Sequence, residues 1–234
     1  MIYVISDLHG YPLTQFKKLL KKAGFRRNDF LFILGDVCDR GKPYGGVDIL
    51  KWLLSQENVS LLLGNHEEML LENQWVLSTI TDRSLNSLTS QSMDGLSDWI
   101  ANGAEPTLAA LKSLMHTQPE TVMDIIEYLE DCPLYETCSI GERDFILTHA
   151  GLGNFSPTKR LRDYTSYELL RHRPTLDEKY FDNATVVFGH TPTQYLAGSS
   201  DIVFTDSWIC IDTSRPTLLR LDDMAQFTPD DQAV

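Results

Sequence analysis

The sequence predicts an α/β protein on three observations: short apolar runs at residues 2–6, 30–34 and 59–63, amphipathic helical segments between them, and β character across the last third. Residues 2–6 read as the first strand. Pro12 then opens a helix whose apolar face is Leu13, Phe16, Leu19, Leu20 and Ala23, and Gly24 closes it. Residues 30–34 give the second strand, 47–54 the second helix and 59–63 the third strand. This order implies a largely parallel sheet with helices packed on it. Helical periodicity then runs through residues 69–77, 108–114 and 122–129. It is interrupted by a polar stretch, 78–97, expected to be a surface loop or frayed helix. Candidate strands follow at 134–138, 145–148, 185–188, 202–204, 208–211 and 218–221, and the short turns between several of them predict antiparallel pairing. Residues 222–234 form an acidic tail containing Pro229 and are expected to fray. No repeat or low-complexity linker divides the chain, so residues 1–221 read as one domain that includes a helical segment at 67–130.

A chain of 234 residues with 42% hydrophobic content can bury a full core. Its apolar runs fall far below the roughly 20 residues of a membrane span, and the N-terminus lacks a basic leader, so a cytoplasmic protein is expected. Cys38, Cys132, Cys138 and Cys210 show no CxxC pairing and read as reduced thiols. A formal net charge of −13 argues against a nucleic-acid backbone as partner. It does not exclude a phosphorylated substrate, because bound divalent cations invert the local field.

Five short patterns each follow a predicted strand: Asp7-Leu8-His9-Gly10, the segment from Gly35 to Gly41, Gly64-Asn65-His66-Glu67, His149-Ala150-Gly151 and Gly189-His190-Thr191. Loops at the carboxyl ends of such strands converge on one rim, where ligands bind. Asp7, His9, Asp36, Asn65, His149 and His190 are therefore expected together. Oxygen and imidazole donors without thiolates suit manganese foremost, with iron or zinc as alternatives. Six side chains exceed one tetrahedral catalytic site, so two divalent cations are expected, with Asp36 as the natural bridge. His116 and His172, outside these loops, read as surface or packed histidines.

The series DLHG, GDVCDRG, GNHEE, HAG and GHT resembles the calcineurin-like metallophosphoesterase superfamily. The DRG ending and the GNHE motif are similar to its phosphoprotein phosphatase branch. The stretch from Trp99 to Leu108 is similar to the Asn-Gly-Gly and Thr-Leu segment of bacterial and phage serine/threonine protein phosphatases, which favours that branch over dinucleoside tetraphosphate hydrolases. The resemblance implies a central β-sandwich of mixed sheets flanked by helices, with the 67–130 segment partly covering the site. It implies that Asp7 and His9 hold one metal, that Asn65, His149 and His190 hold the other, and that Asp36 bridges them. A hydroxide shared by the metals would attack phosphorus directly.

By the same resemblance His66 is the general acid, Asp39 pairs with it, and Arg40 grips phosphate. The segment from Leu169 to Arg173 is similar to a Leu-Leu-Trp-x-Arg pattern that aligns Arg173 with a second phosphate contact, although Arg171 stands where tryptophan is usual. Cys38 inside the second motif raises the expectation of oxidation-sensitive activity. The segment Asp212-Thr213-Ser214 only partly follows the family's Asp-Thr-Gly pattern, which leaves substrate choice open. The leading expectation is a phosphatase acting on phosphoserine or phosphothreonine in proteins, or on small phosphoesters. Hydrolysis of dinucleoside polyphosphates or phosphodiesters is the first alternative. A catalytically idle regulatory module is the second, and it would be marked by a missing ligand or acid.

Overall fold

Alternation along the strands decides the layering. The computed structural model describes residues 1–78 and 89–229. In β1 (Ile2–Ile5), Tyr3 and Ile5 pack with Phe16, Leu19 and Leu20 of helix α1 (Leu13–Lys22), while Val4 turns to the opposite face. Strand β2 (Phe30–Ile33) repeats the division, with Leu31 and Ile33 toward the helices and Phe32 away from them. Val4 and Phe32 meet Phe145, Leu147, Val187, Ile209 and Leu219 in a second buried cluster, which is the interior of a sandwich. Burying a large side chain there is worth about 1.5–3 kcal/mol.

Two five-stranded mixed sheets face each other across this interior. In the first, β1, β2 and β3 (Val59–Leu61) run parallel, β9 (Leu218–Arg220) pairs antiparallel with β1, and β10 (Ala225–Phe227) adds an edge. In the second, β5 (Arg143–Thr148), β6 (Ala184–Phe188) and β8 (Trp208–Cys210) run parallel. Strands β4 (Tyr135–Ile140) and β7 (Val203–Phe204) pair antiparallel at its edges. Helices α2 (Val47–Leu53), α3 (Asn65–Glu72), α4 (Ser90–Ala101), α5 (Glu105–Thr117) and α6 (Pro119–Glu130) cover the first sheet with α1. The short helix α7 (Ser166–Leu170) packs Leu169 beside Val186, Phe188 and Trp208 on the outer face of the second. No described helix is long and apolar enough to cross a membrane.

Several expectations are corrected. The antiparallel pairing predicted across short turns holds for β4–β5 and β7–β8, whereas the β5–β6 and β6–β8 connections are long enough to cross over and return in parallel. Of the two alternatives for the polar stretch, surface loop or frayed helix, residues 90–97 take the helical one and belong to α4: Thr89 Oγ1 accepts from the Ser92 amide at 3.1 Å and Trp99 buries one face of the helix. The remainder of that stretch, residues 79–88, lies outside the described residues. Beyond Leu221 the chain was expected to fray, yet residues 225–227 form β10; residues 230–234 lie outside the described residues. Helix α3 starts at Asn65, so Asn65, His66 and Glu67 occupy its first turn instead of a loop.

Candidate metal centre

The loops leaving β1 and β2 run side by side and are tied by backbone bonds, His9 N to Asp36 O at 2.9 Å and Gly10 N to Val37 O at 2.8 Å. This sets Asp7 and His9 beside Asp36. Asp7, His9, Asp36, Asp39, Arg40 and His190 all have φ between 40° and 72°. Such backbone is costly for residues other than glycine and gathers at functional sites, held by the structure around it. Two glycines permit the close approach: a Cβ on Gly64 would strike the Asp36 carboxylate, and one on Gly189 would strike that of Asp7.

Asp7, His9, Asp36, Asn65 and His190 line one cleft of about 790 Å³, and the sixth predicted ligand, His149, is buried beside Asn65. Two groups of ligand atoms lie mutually within 4.8 Å, one of His9, Asp36 and His66, the other of Asp36, His149 and His190, so Asp36 is common to both. Asp7 Oδ1 is 4.0 Å from His9 Nε2, and its carboxylate accepts the His190 amide at 3.0 Å. Asn65 Oδ1 lies 3.0 Å from His149 Nε2.

The imidazoles are oriented for ligation. His149 Nδ1 donates to Leu34 O at 2.7 Å and His9 Nδ1 to Cys38 O at 3.1 Å, which leaves each Nε2 as the electron-pair donor facing the carboxylates. Burial, reinforced by His149 and Arg173, lowers the His190 pKa to about 2; burial, with His66 and Arg40 assisting against Asp7, lowers that of His9 to about 4. Neutral histidines are what a cation requires. Burial also pushes Asp36 well above the usual carboxylate range, and Asp7 and Glu67 add to the rise against the opposing charge of His66. A buried carboxylate cluster with neutral imidazoles is a cation-shaped environment, so the donor set fits two divalent metals.

His66 stands at the edge of the cluster with its Nδ1 donating to Asp39 Oδ2 at 2.7 Å. Burial works to lower its pKa, but the Asp39 hydrogen bond and the charges of Asp36 and Asp39 outweigh it and raise the net value. Asp39 is wholly buried and takes two further donors, Trp99 Nε1 at 2.8 Å and Thr107 Oγ1 at 2.7 Å. Arg40 reaches His9 Nε2 at 2.9 Å and His66 Nε2 at 3.1 Å. Ligation through His9 Nε2 therefore requires this guanidinium to release that bond. Arg173 lines the same cleft and donates to His190 O at 3.3 Å. Arg171, in place of the usual tryptophan, pairs with Glu68 at 2.7 Å and ties α7 to α3.

Sequence reasoning missed four contributors. Glu67 is fully buried: its Oε1 accepts the Val37 and Cys38 amides, both at 2.9 Å, and its Oε2 those of Asp36 and Gly64 at 2.8 and 3.1 Å. It shapes the loop that carries Asp36. Trp99 and Thr107 lay inside a recognised segment without an assigned role. Asp212 lines the cleft, and burial with the charges of Asp7 and Asp36 raises its pKa to about 9. Oxidation at Cys38, raised by its place in the second motif, is disfavoured here: the residue is wholly enclosed and burial raises its pKa, away from the reactive thiolate. His172 is a packed histidine, 2.9 Å from Glu178.

A family model described as calcineurin-like phosphoesterase matches residues 1–207. A symmetrical bis(5'-nucleosyl)-tetraphosphatase of Buchnera aphidicola subsp. Schizaphis graminum is 41% identical over 68 residues, 28% of this chain and 24% of that protein. Serine/threonine-protein phosphatase 2 of Escherichia coli is 38% identical over 85 residues, 33% of this chain and 37% of the relative. A symmetrical bis(5'-nucleosyl)-tetraphosphatase of Chromohalobacter salexigens is 25% identical across 82% of this chain and 59% of its own length. The matches thus span less than two thirds of these relatives. Among solved structures, a candidate diadenosine tetraphosphatase superposes with a TM-score of 0.64 at 19% identity, covering 97% of this chain and 92% of the other, a likeness of fold.

Proposed function

We propose a function from one premise: the chain belongs to the calcineurin-like phosphoesterase family, and is thereby a hydrolase of the metallophosphoesterase class. On that premise it is a metal-dependent phosphatase of phosphate monoesters, either phosphoserine and phosphothreonine in proteins or small phosphoesters. The observation that carries the reading is a buried Asp39–His66 pair, joined at 2.7 Å, beside two groups of ligand atoms that share Asp36.

Asp7, His9 and Asp36 would hold one cation, and Asp36, Asn65, His149 and His190 the other. When bound, two divalent cations supply an activated water and neutralise phosphoryl charge. Arg40 and Arg173 bring guanidinium forks that grip phosphoryl oxygens and fix the ester in line for attack. His66, held by Asp39 so that Nε2 faces the cleft, delivers its proton to the departing oxygen.

A second reading has its own support. The relative aligned over 82% of this chain is a symmetrical bis(5'-nucleosyl)-tetraphosphatase, so cleavage of a phosphoanhydride in a dinucleoside polyphosphate fits the same residues. Protein stripped of metal and reloaded with manganese, iron or zinc should hydrolyse a chromogenic aryl phosphate and lose that activity in chelator. His66→Asn should lower turnover by about 10²–10⁴-fold with metal content unchanged, the usual contribution of a general acid. Undiminished turnover in that variant refutes the acid assignment. Rates on phosphopeptides against dinucleoside polyphosphates separate the two readings.

A further inference from the structure

Part of the cleft wall is apolar: Pro174, Leu176, Pro192, Tyr195 and Leu196 line the same cavity as Arg40, Asp7, His66 and His190. Leu176 is 53% exposed and Tyr195 is 85% exposed, so neither side chain is covered by the rest of the protein. The backbone that carries each is nevertheless tied down. Tyr195 rides on α8 (Thr193–Ala197), whose first residue donates its amide to Asp212 O at 2.8 Å and whose Tyr195 amide bonds to Pro192 O at 2.8 Å. Leu176 sits on a turn closed by Glu178 N to Thr175 O at 3.1 Å, with Glu178 anchored by His172.

A phosphoryl group is small and wholly polar, and the guanidinium groups of Arg40 and Arg173 meet its needs. Apolar surface continuous with that site can only meet the rest of the ester. An uncovered tyrosine ring and an uncovered leucine lining the same cavity offer apolar surface to a flat ring, which stacks favourably on the tyrosine and sheds water from both surfaces. Resting on the phosphoester hydrolase reading, we propose that Tyr195 and Leu176 select substrates whose leaving group carries a planar aromatic ring, as in nucleoside or aryl phosphates. An aliphatic alcohol such as a serine side chain leaves this wall unused.

The test combines turnover with binding, so that it does not depend on hydrolysis. Metal-loaded wild type, Tyr195→Ala, Tyr195→Phe and Leu176→Ala are titrated calorimetrically with adenosine monophosphate, phenyl phosphate and inorganic phosphate. Their kcat/KM values are compared for 4-nitrophenyl phosphate and glycerol 2-phosphate. Wild type should bind both aromatic ligands more tightly than inorganic phosphate, and the larger preference identifies a nucleoside or a simple aryl group. Tyr195→Ala should lower the aromatic-to-aliphatic kcat/KM ratio roughly tenfold, as loss of one stacked ring does, through KM. Tyr195→Phe should keep the ratio, since the ring and not the hydroxyl is used. Equal affinity for aromatic ligands and phosphate, or a ratio unmoved in both alanine variants, overturns the proposal. If binding shows the preference but no ester is cleaved, the wall stands and the hydrolase reading falls.

Discussion

At the scale of single residues, Glu67 shows how a side chain can govern a site without entering it. Its carboxylate is buried and accepts four backbone amides, two on each oxygen, from the segments that carry Asp36 and Asn65. Glu67→Gln keeps the shape but turns an NH₂ group toward backbone donors. Hydrogen bonds to a charged acceptor are worth about 1.5–3 kcal/mol, and a buried donor left unmade costs about as much. The variant should therefore lose about 3 kcal/mol in urea unfolding of the metal-free protein and bind metal more weakly. An unchanged unfolding midpoint refutes this role. The residue was visible in the motif, but its function was not, because the three consecutive amides of residues 36–38 join the Gly64 amide in one anion cradle only after the β2 exit loop folds over α3.

At the scale of elements, α4 and α5 act as a brace for the Asp39–His66 pair. Trp99 at the end of α4 and Thr107 in α5 both donate to Asp39, and the Arg40 amide donates to Gly103 O between the two helices at 2.9 Å. Trp99→Phe retains the buried ring but removes the indole donor. Asp39 should then be less firmly held, and kcat should fall about tenfold, equivalent to some 1.4 kcal/mol of barrier, with bound metal undiminished. A variant as fast as wild type shows that α4 only packs. The sequence pointed to the stretch from Trp99 to Leu108 through resemblance, while the polar composition of residues 90–97 hid the helix that delivers Trp99. Local polarity reports exposure, and most of α4 is exposed; one buried tryptophan is a weak periodic signal.

At the scale of the whole molecule, the candidate ligands follow strands of both sheets, on loops and on the first turn of α3, so the centre exists only when the sandwich is assembled. Cations that bind the folded chain alone stabilise it by mass action, about 2.7 kcal/mol at a hundredfold excess over Kd. For a chain of this length each kcal/mol moves the melting temperature by roughly 2–4 °C, so chelation should lower Tm by about 5–10 °C. Calorimetry with and without chelator measures the difference. A Tm indifferent to metal counts against a shared centre, since burial without a cation disfavours the charged form of Asp36, and Asp7 adds to that rise.

From the chain alone one could read the α/β order, the three parallel strands of the first sheet, and the motifs that supply the candidate ligands, because strand and helix periods and short donor motifs are local properties. Three features needed the assembled molecule: the parallel return of β6 and β8, the amide cradle of Glu67, and the apolar wall of Leu176 and Tyr195 in the cleft of the ligand cluster. Each depends on segments far apart in sequence meeting in space. Burial, which shifts the Asp36 and His190 pKa values and leaves Tyr195 uncovered, belongs to the folded surface and to no single stretch of chain.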